Sequence, residues 1–75
     1  MTKPNNIFIY REIITLESGK RSGKPYIRGM RITVSDILQW LSYGKSIPEI
    51  IEDFPELTAQ DIFVALEFAE KQKLS

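Results

Sequence analysis

The chain contains no cysteine and no histidine. It therefore has no disulfides, and a metal site built from thiolates or imidazoles is excluded, which leaves only all-oxygen sites. The same absence removes the commonest general base and the strongest nucleophile from any catalytic scheme, so an enzyme is not expected, nor is a cofactor. A small secreted fold without disulfides is unusual. No apolar run approaches the ~20 residues that span a bilayer, and MTKPNNIFIY at the N-terminus lacks the apolar stretch of a signal peptide. The expectation is a cytoplasmic protein. Glycine and proline are scarce, four of each, so each one punctuates the chain at a definite place.

With 75 residues, 43% hydrophobic and 27% charged, the composition is that of one small globular domain. A chain of this size buries only about 60% of its unfolded surface. With no covalent staples, a partner or a second copy completing the core is a natural expectation, and a homodimer is the form expected. The net charge of zero conceals a split. Residues 1–31 hold Lys3, Arg11, Lys20, Arg21, Lys24, Arg28 and Arg31 against Glu12 and Glu17, a balance of +5. Residues 32–75 hold three basic and eight acidic residues, a balance of −5. Such a split suggests two surfaces with different partners, or two copies meeting head to tail; the alternative is that the halves interleave in space and cancel.

Residues 1–32 read as strand and turn. Ile7 to Leu16 is rich in Ile, Phe and Tyr, interrupted at Arg11-Glu12, and Glu17 to Lys24 is a loop by composition. The decamer GKPYIRGMRI then combines Lys24, Arg28 and Arg31, without an acid, with strand-forming Tyr26, Ile27 and Ile32. Gly29 marks a bulge or turn, where a positive φ costs glycine little. Residues 33–75 read as three helices. Ser or Thr followed three residues later by an acid is a capping-box pattern, and it recurs at Thr33–Asp36, Ser46–Glu49 and Thr58–Asp61. Asp is shorter than Glu, which leaves the first and third boxes open to being single caps. The helices are expected at about 34–43, stopped by Gly44, at 47–54, stopped by Pro55, and at 59–73. Their apolar stripes are Val34, Ile37, Leu38 and Leu41; Ile47, Ile50, Ile51 and Phe54; and Ile62, Ala65, Leu66 and Ala69. Trp40, Tyr43, Phe63 and Phe68 fall beside these stripes. They are either core or an interaction surface for a dimer or partner.

Two motif readings fail on spacing. Gly19 to Pro25 is not a phosphate-binding loop: three residues separate its glycines, where four are required, and Pro25 stands where a hydroxyl must meet Mg²⁺. Glu52, Asp53, Glu56 and Asp61 lack the spacing of a cation-binding loop and read as a solvated acidic face. A helix-turn-helix reading makes 47–54 the positioning helix and 59–73 the recognition helix. A reading helix offers cations or amides at its start. This one offers Gln60 beside Asp61, with Glu56 just before. The basic segment Lys20, Arg21, Lys24, Arg28 and Arg31 is then the better candidate contact, to nucleic acid or to an acidic protein; the alternative is a solvated loop tip. About five phosphate contacts would give a log–log salt slope near −4.5.

The stretch GKPYIRGMRITVSDILQWLSYGKSIPEIIEDFPELTAQDIFVALEFA resembles the domain of unknown function 433 family of small prokaryotic proteins. The resemblance lies in a Gly-Lys-Pro-x-Ile-Arg-Gly-x-Arg-Ile hairpin, a helix ending in Gly, a Ser-Ile-x-Glu-Ile helix, the Phe-Pro-x-Leu-Thr turn with its Asp-Ile, and an Ala-Leu-x-x-Ala helix. It extends over about residues 13–70. Met30 stands where the family usually has Thr, and Thr33 where Pro is common. The resemblance implies a mostly α fold: a short N-terminal β-hairpin followed by a three-helix, homeodomain-like bundle. It also implies a VapB-like antitoxin, encoded beside a toxin with a PIN-like nuclease domain. Alternatives are a stand-alone DNA-binding regulator and a protein-interaction module without a nucleic-acid role.

Overall fold

The structure is a computed structural model that describes residues 7–17 and 23–73; Lys20 and Arg21 lie outside the described residues. Six elements follow in order: β1 (Ile7–Tyr10), β2 (Ile14–Glu17), β3 (Tyr26–Ile27), α1 (Val34–Ser42), α2 (Ile47–Asp53) and α3 (Ala59–Lys73). The strands form one antiparallel sheet in the order β1-β2-β3. The expected single hairpin is thus a three-stranded sheet. The pause at Arg11-Glu12 is a chain reversal rather than a break, and it pairs Tyr10 with Ile14 and Ile7 with Glu17.

That reversal is conformationally costly. Arg11 and Glu12 have φ of 52° and 60°, and the Ile13 amide donates to the Tyr10 carbonyl at 3.0 Å. Positive φ at both central residues is the twist a tight hairpin prefers, but Asn-Gly ordinarily supplies it. A left-handed conformation costs an ordinary L-residue about 1–2 kcal/mol. Arg11 recovers some of this by pairing with Glu67 of α3 at 3.0 Å and by lying 5.8 Å from the Tyr10 ring centroid.

The helices begin and end where the caps place them. All three capping boxes are reciprocal, those built on Asp included. Asp36 accepts from the Thr33 amide at 3.0 Å while its own amide donates to the Thr33 hydroxyl at 3.1 Å. Thr58 and Asp61 repeat the arrangement at 3.0 and 3.1 Å, and Ser46 and Glu49 at 2.8 and 3.2 Å. Gly44, at φ 97°, follows α1 in the left-handed conformation its place after the helix requires.

The core gathers Ile13, Ile14 and Ile27 from the sheet, Ile32 from the segment after β3, Val34 and Ile37 of α1, Ile50 of α2, Leu57 of the turn, and Ile62, Val64, Ala65 and Phe68 of α3. α1 and α2 both pack on α3, and β2 meets α3 as well. Two of the four flanking aromatics are thereby placed inside. Phe68 is buried and meets Tyr10 edge-on, with ring centroids 5.4 Å apart; it belongs to the core rather than to an interaction surface. Trp40 is half-buried and stacks on Phe54 at 4.7 Å. Tyr43 and Phe63 remain 75% and 57% exposed. None of the helices among the described residues is long and apolar enough to cross a membrane.

Candidate functional site

The basic decamer folds into a second, smaller reversal. The Tyr26–Thr33 bridge, the Ile27 amide on the Ile32 carbonyl (2.9 Å) and the Val34 amide on the Pro25 carbonyl (3.0 Å) zip its two limbs together. The Met30 amide closes the turn on the Ile27 carbonyl at 2.7 Å. Gly29 occupies the third turn position with φ 63°, the conformation that a glycine there adopts at no steric cost. Ile27 and Ile32 point into the core. The Arg28 amide donates to the Ile13 carbonyl at 2.7 Å, binding the reversal to the first hairpin. The result is a hydrogen-bonded platform leading directly into the α1 cap.

Its three cations have different fates. Arg28 donates from Nη2 to Asp61 Oδ2 at 3.1 Å. Asp61 is 1% exposed, the one buried charged residue among those described, and the same Oδ2 accepts the Thr58 amide at 3.0 Å. A buried carboxylate is costly unless it is paired and hydrogen-bonded, and Arg28 meets that need. Arg28 is therefore committed to the fold and is not a free contact. Lys24 and Arg31 are both exposed, and neither pairs with an acid among the described residues. Gln60 is exposed at the start of α3.

Beside Lys24 lies an open, mainly apolar groove of about 680 Å³. It is floored by Val34 and Leu38 of α1 and by Leu66 and Ala69 of α3. Glu70 and Gln72 of α3 also line it, so the trough is bordered by Lys24 on one side and by an acid on the other, a form suited to an amphipathic protein segment. The acidic residues of the second half do not converge. Asp53 pairs with Lys45, Asp61 with Arg28, and no cluster of three metal-ligating side chains exists among the described residues. The Arg11–Glu67 and Arg28–Asp61 pairs join the basic and acidic halves, so part of the charge split is cancelled by interleaving.

Sequence reasoning missed the Arg28–Asp61 bond, although a signal was present. Asp61, Val64, Ala65 and Phe68 are all buried and lie at helical spacing. An acid on such a stripe requires a cation from elsewhere in the chain. Ile7, Phe8 and Ile9 of the apolar β1 strand are about half exposed.

Fold and site define a small domain in which two helices pack on a third, which meets a three-stranded antiparallel sheet, with a basic turn fixed to the buried Asp61 in the first turn of that third helix. Residues 14–69 match the family described as "Protein of unknown function (DUF433)", and the chain belongs to it. The "Uncharacterized protein y4eO" of Sinorhizobium fredii (strain NBRC 101917 / NGR234) is 34% identical over 64 residues, which are 85% of this chain and 29% of that protein. The chain thus spans less than a third of that curated relative. No solved structure matches it.

Proposed function

We propose that the chain is the antitoxin of a toxin–antitoxin module, a non-catalytic protein that binds a toxin with a PIN-like nuclease domain. The observation that carries this reading is the pairing of exposed, unneutralised Lys24 and Arg31 on a hydrogen-bonded turn with an apolar groove at Lys24. A nuclease that uses carboxylates and Mg²⁺ has an acidic site, which such cations match in sign. The groove gives an apolar segment of the toxin a place to lie. The test is co-expression with a toxin that has a PIN-like nuclease domain. Lys24→Glu with Arg31→Glu should abolish protection and co-purification, while each chain stays folded by circular dichroism. Undiminished protection by the double variant would overturn the reading.

A second reading, operator binding, gains from one observation. In a homeodomain-like arrangement of α1, α2 and α3, acids at the start of α3 would repel phosphates, but of Asp61 and Glu56 only Glu56 is exposed, since Asp61 is buried and paired to Arg28. Its charge is not displayed to a ligand, and Gln60 is. Arg31 and Lys24 then serve as phosphate contacts. A shift of the chain's own promoter fragment that weakens as salt rises supports this reading; a salt-independent shift, or none, refutes it.

A further inference from the structure

Among the described residues β1 is the outer strand of the sheet, hydrogen-bonded on one side to β2. Ile7, Phe8 and Ile9 are 53%, 52% and 56% exposed. Because successive side chains alternate, these three project from both faces. Ile7 and Ile9 share the face of Thr15 and Glu17. Phe8 shares the face of Tyr10, whose ring meets Phe68. Edge strands are normally protected from pairing by a charge, a proline or a bulge. Ile7-Phe8-Ile9-Tyr10 carries none of these.

We propose that β1 is the pairing edge for a second copy of this chain, joined antiparallel across a two-fold axis at Phe8. An exposed edge needs an extended partner, since only a strand can satisfy its alternating amides and carbonyls. That partner must be apolar on both faces and carry no charge. β1 itself meets both conditions. A two-fold axis through an antiparallel pair sets each residue opposite one that points to the same face, so Phe8 lies opposite Phe8 of the second copy, and Ile7 opposite its Ile9. Such apolar cross-strand pairs are the unit of sheet stabilisation. The two sheets become one of six strands, with both sets of helices on the same face. The contact is modest. About half of three large side chains amounts to roughly 300 Å² of apolar surface per copy, against about 800 Å² per partner in a stable interface. The dimer should therefore dissociate on dilution. This inference does not rest on the antitoxin reading: toxin protection and self-association of the isolated chain are separate measurements.

The test is sedimentation equilibrium of the full chain from low-micromolar to millimolar concentration, with cysteine variants in a chain that has no cysteine of its own. A reversible monomer–dimer equilibrium is expected. Phe8→Lys, which sets two ammonium groups opposite each other, should weaken it at least about tenfold with an unchanged circular dichroism spectrum. Phe8→Cys should cross-link with itself on oxidation, because directly opposed Cα atoms fall within disulfide range. Ile7→Cys and Ile9→Cys should cross-link mainly when mixed with each other, and these two serve if Phe8→Cys does not fold. Three results would overturn the proposal: a chain monomeric throughout, as expected if β1 receives a strand of a different protein; a dimer indifferent to Phe8→Lys; or cross-linking through residue 8 no faster than through Tyr43→Cys on the exposed end of α1.

Discussion

Replacing Arg28 with alanine should destabilise the fold more than removing an exposed arginine ordinarily does. The Asp61 carboxylate, 1% exposed, keeps only the Thr58 amide once the guanidinium is gone. Breaking a fully buried ion pair costs about 3–5 kcal/mol, whereas exposed pairs contribute about 0–1 kcal/mol. This pair is mixed: the Asp61 side chain is 2% exposed and that of Arg28 44%. Water can reach part of the vacated space and solvate the orphaned oxygen, so the expected loss is intermediate, about 2 kcal/mol. A domain of 75 residues has a total stability of about 4–11 kcal/mol. The loss is therefore a large share of the whole and should lower Tm by about 10 °C.

Urea unfolding followed by the fluorescence of Trp40, the single tryptophan, measures it. The stacked Phe54 neighbour, 4.7 Å away, makes that signal sensitive to loss of packing. A double-mutant cycle with Asp61→Asn isolates the pair. Asn keeps an oxygen for the Thr58 amide and removes the charge that demands Arg28. The cost of Arg28→Ala should then fall to within about 0.5 kcal/mol of zero, giving a coupling of about 1–2 kcal/mol. A loss below about 0.5 kcal/mol in the wild-type background, or a coupling near zero, would show that Arg28 is a free surface cation and would return it to the list of candidate contacts.

Glu12→Gly should stabilise the chain by about 0.5–1 kcal/mol, because relief of the positive φ outweighs the added freedom of the unfolded chain; a lower urea midpoint would contradict the strained-turn reading. Gly29→Ala should cost about 1 kcal/mol. A Cβ there meets nothing within 4 Å, so the penalty is conformational alone, and an unchanged midpoint would refute it. Ser46→Ala should cost about 1 kcal/mol through loss of the α2 cap. The Glu49 carboxyl is held below its ordinary range, first by the Ser46 amide and then by the Ser46 side chain. A depressed folded-state pKa means that its contribution is present above the unfolded carboxylate pKa and is lost as pH falls through the folded value. Glu49→Gln should therefore flatten the acid limb of the stability–pH curve, and an identical limb in both proteins would remove Glu49 from that account.

The helices were legible because their signals are local. Three hydroxyl–acid pairs, Gly44 and Pro55 set the boundaries, and α1, α2 and α3 begin where the caps lie. The decamer was legible as a reversal for the same reason, since Gly29 has one conformational use there. The first hairpin was not. Its turn residues, Arg11 and Glu12, are poor ones with positive φ, and of the two it is Arg11 that makes contacts with the distant Glu67 and the Tyr10 ring. The division of the basic residues was equally hidden, because Arg28 meets its acid 33 positions away. Apolar period alone could not sort the aromatics either. Phe63 and Phe68 lie on the same helix, but Phe68 shares the buried face of Asp61, Val64 and Ala65 and meets Tyr10 of the sheet, while Phe63 points away and stays exposed.

The same bond changes how the basic turn should be probed. A carboxylate buried at the start of α3 and a guanidinium reaching it from the sheet side make the platform and the helix cap one unit: Asp61 Oδ2 serves the Thr58 amide and Arg28 together. An Arg28 variant that loses partner binding would then report a loosened platform as readily as a lost contact. Lys24 and Arg31 carry no such ambiguity, since neither holds an acid among the described residues. A binding defect in their charge-reversed variants, at unchanged stability, isolates recognition from folding. If only the Arg28 variant is defective, and the defect tracks its stability loss, the decamer's positive charge is chiefly structural and the partner must be sought along the groove instead.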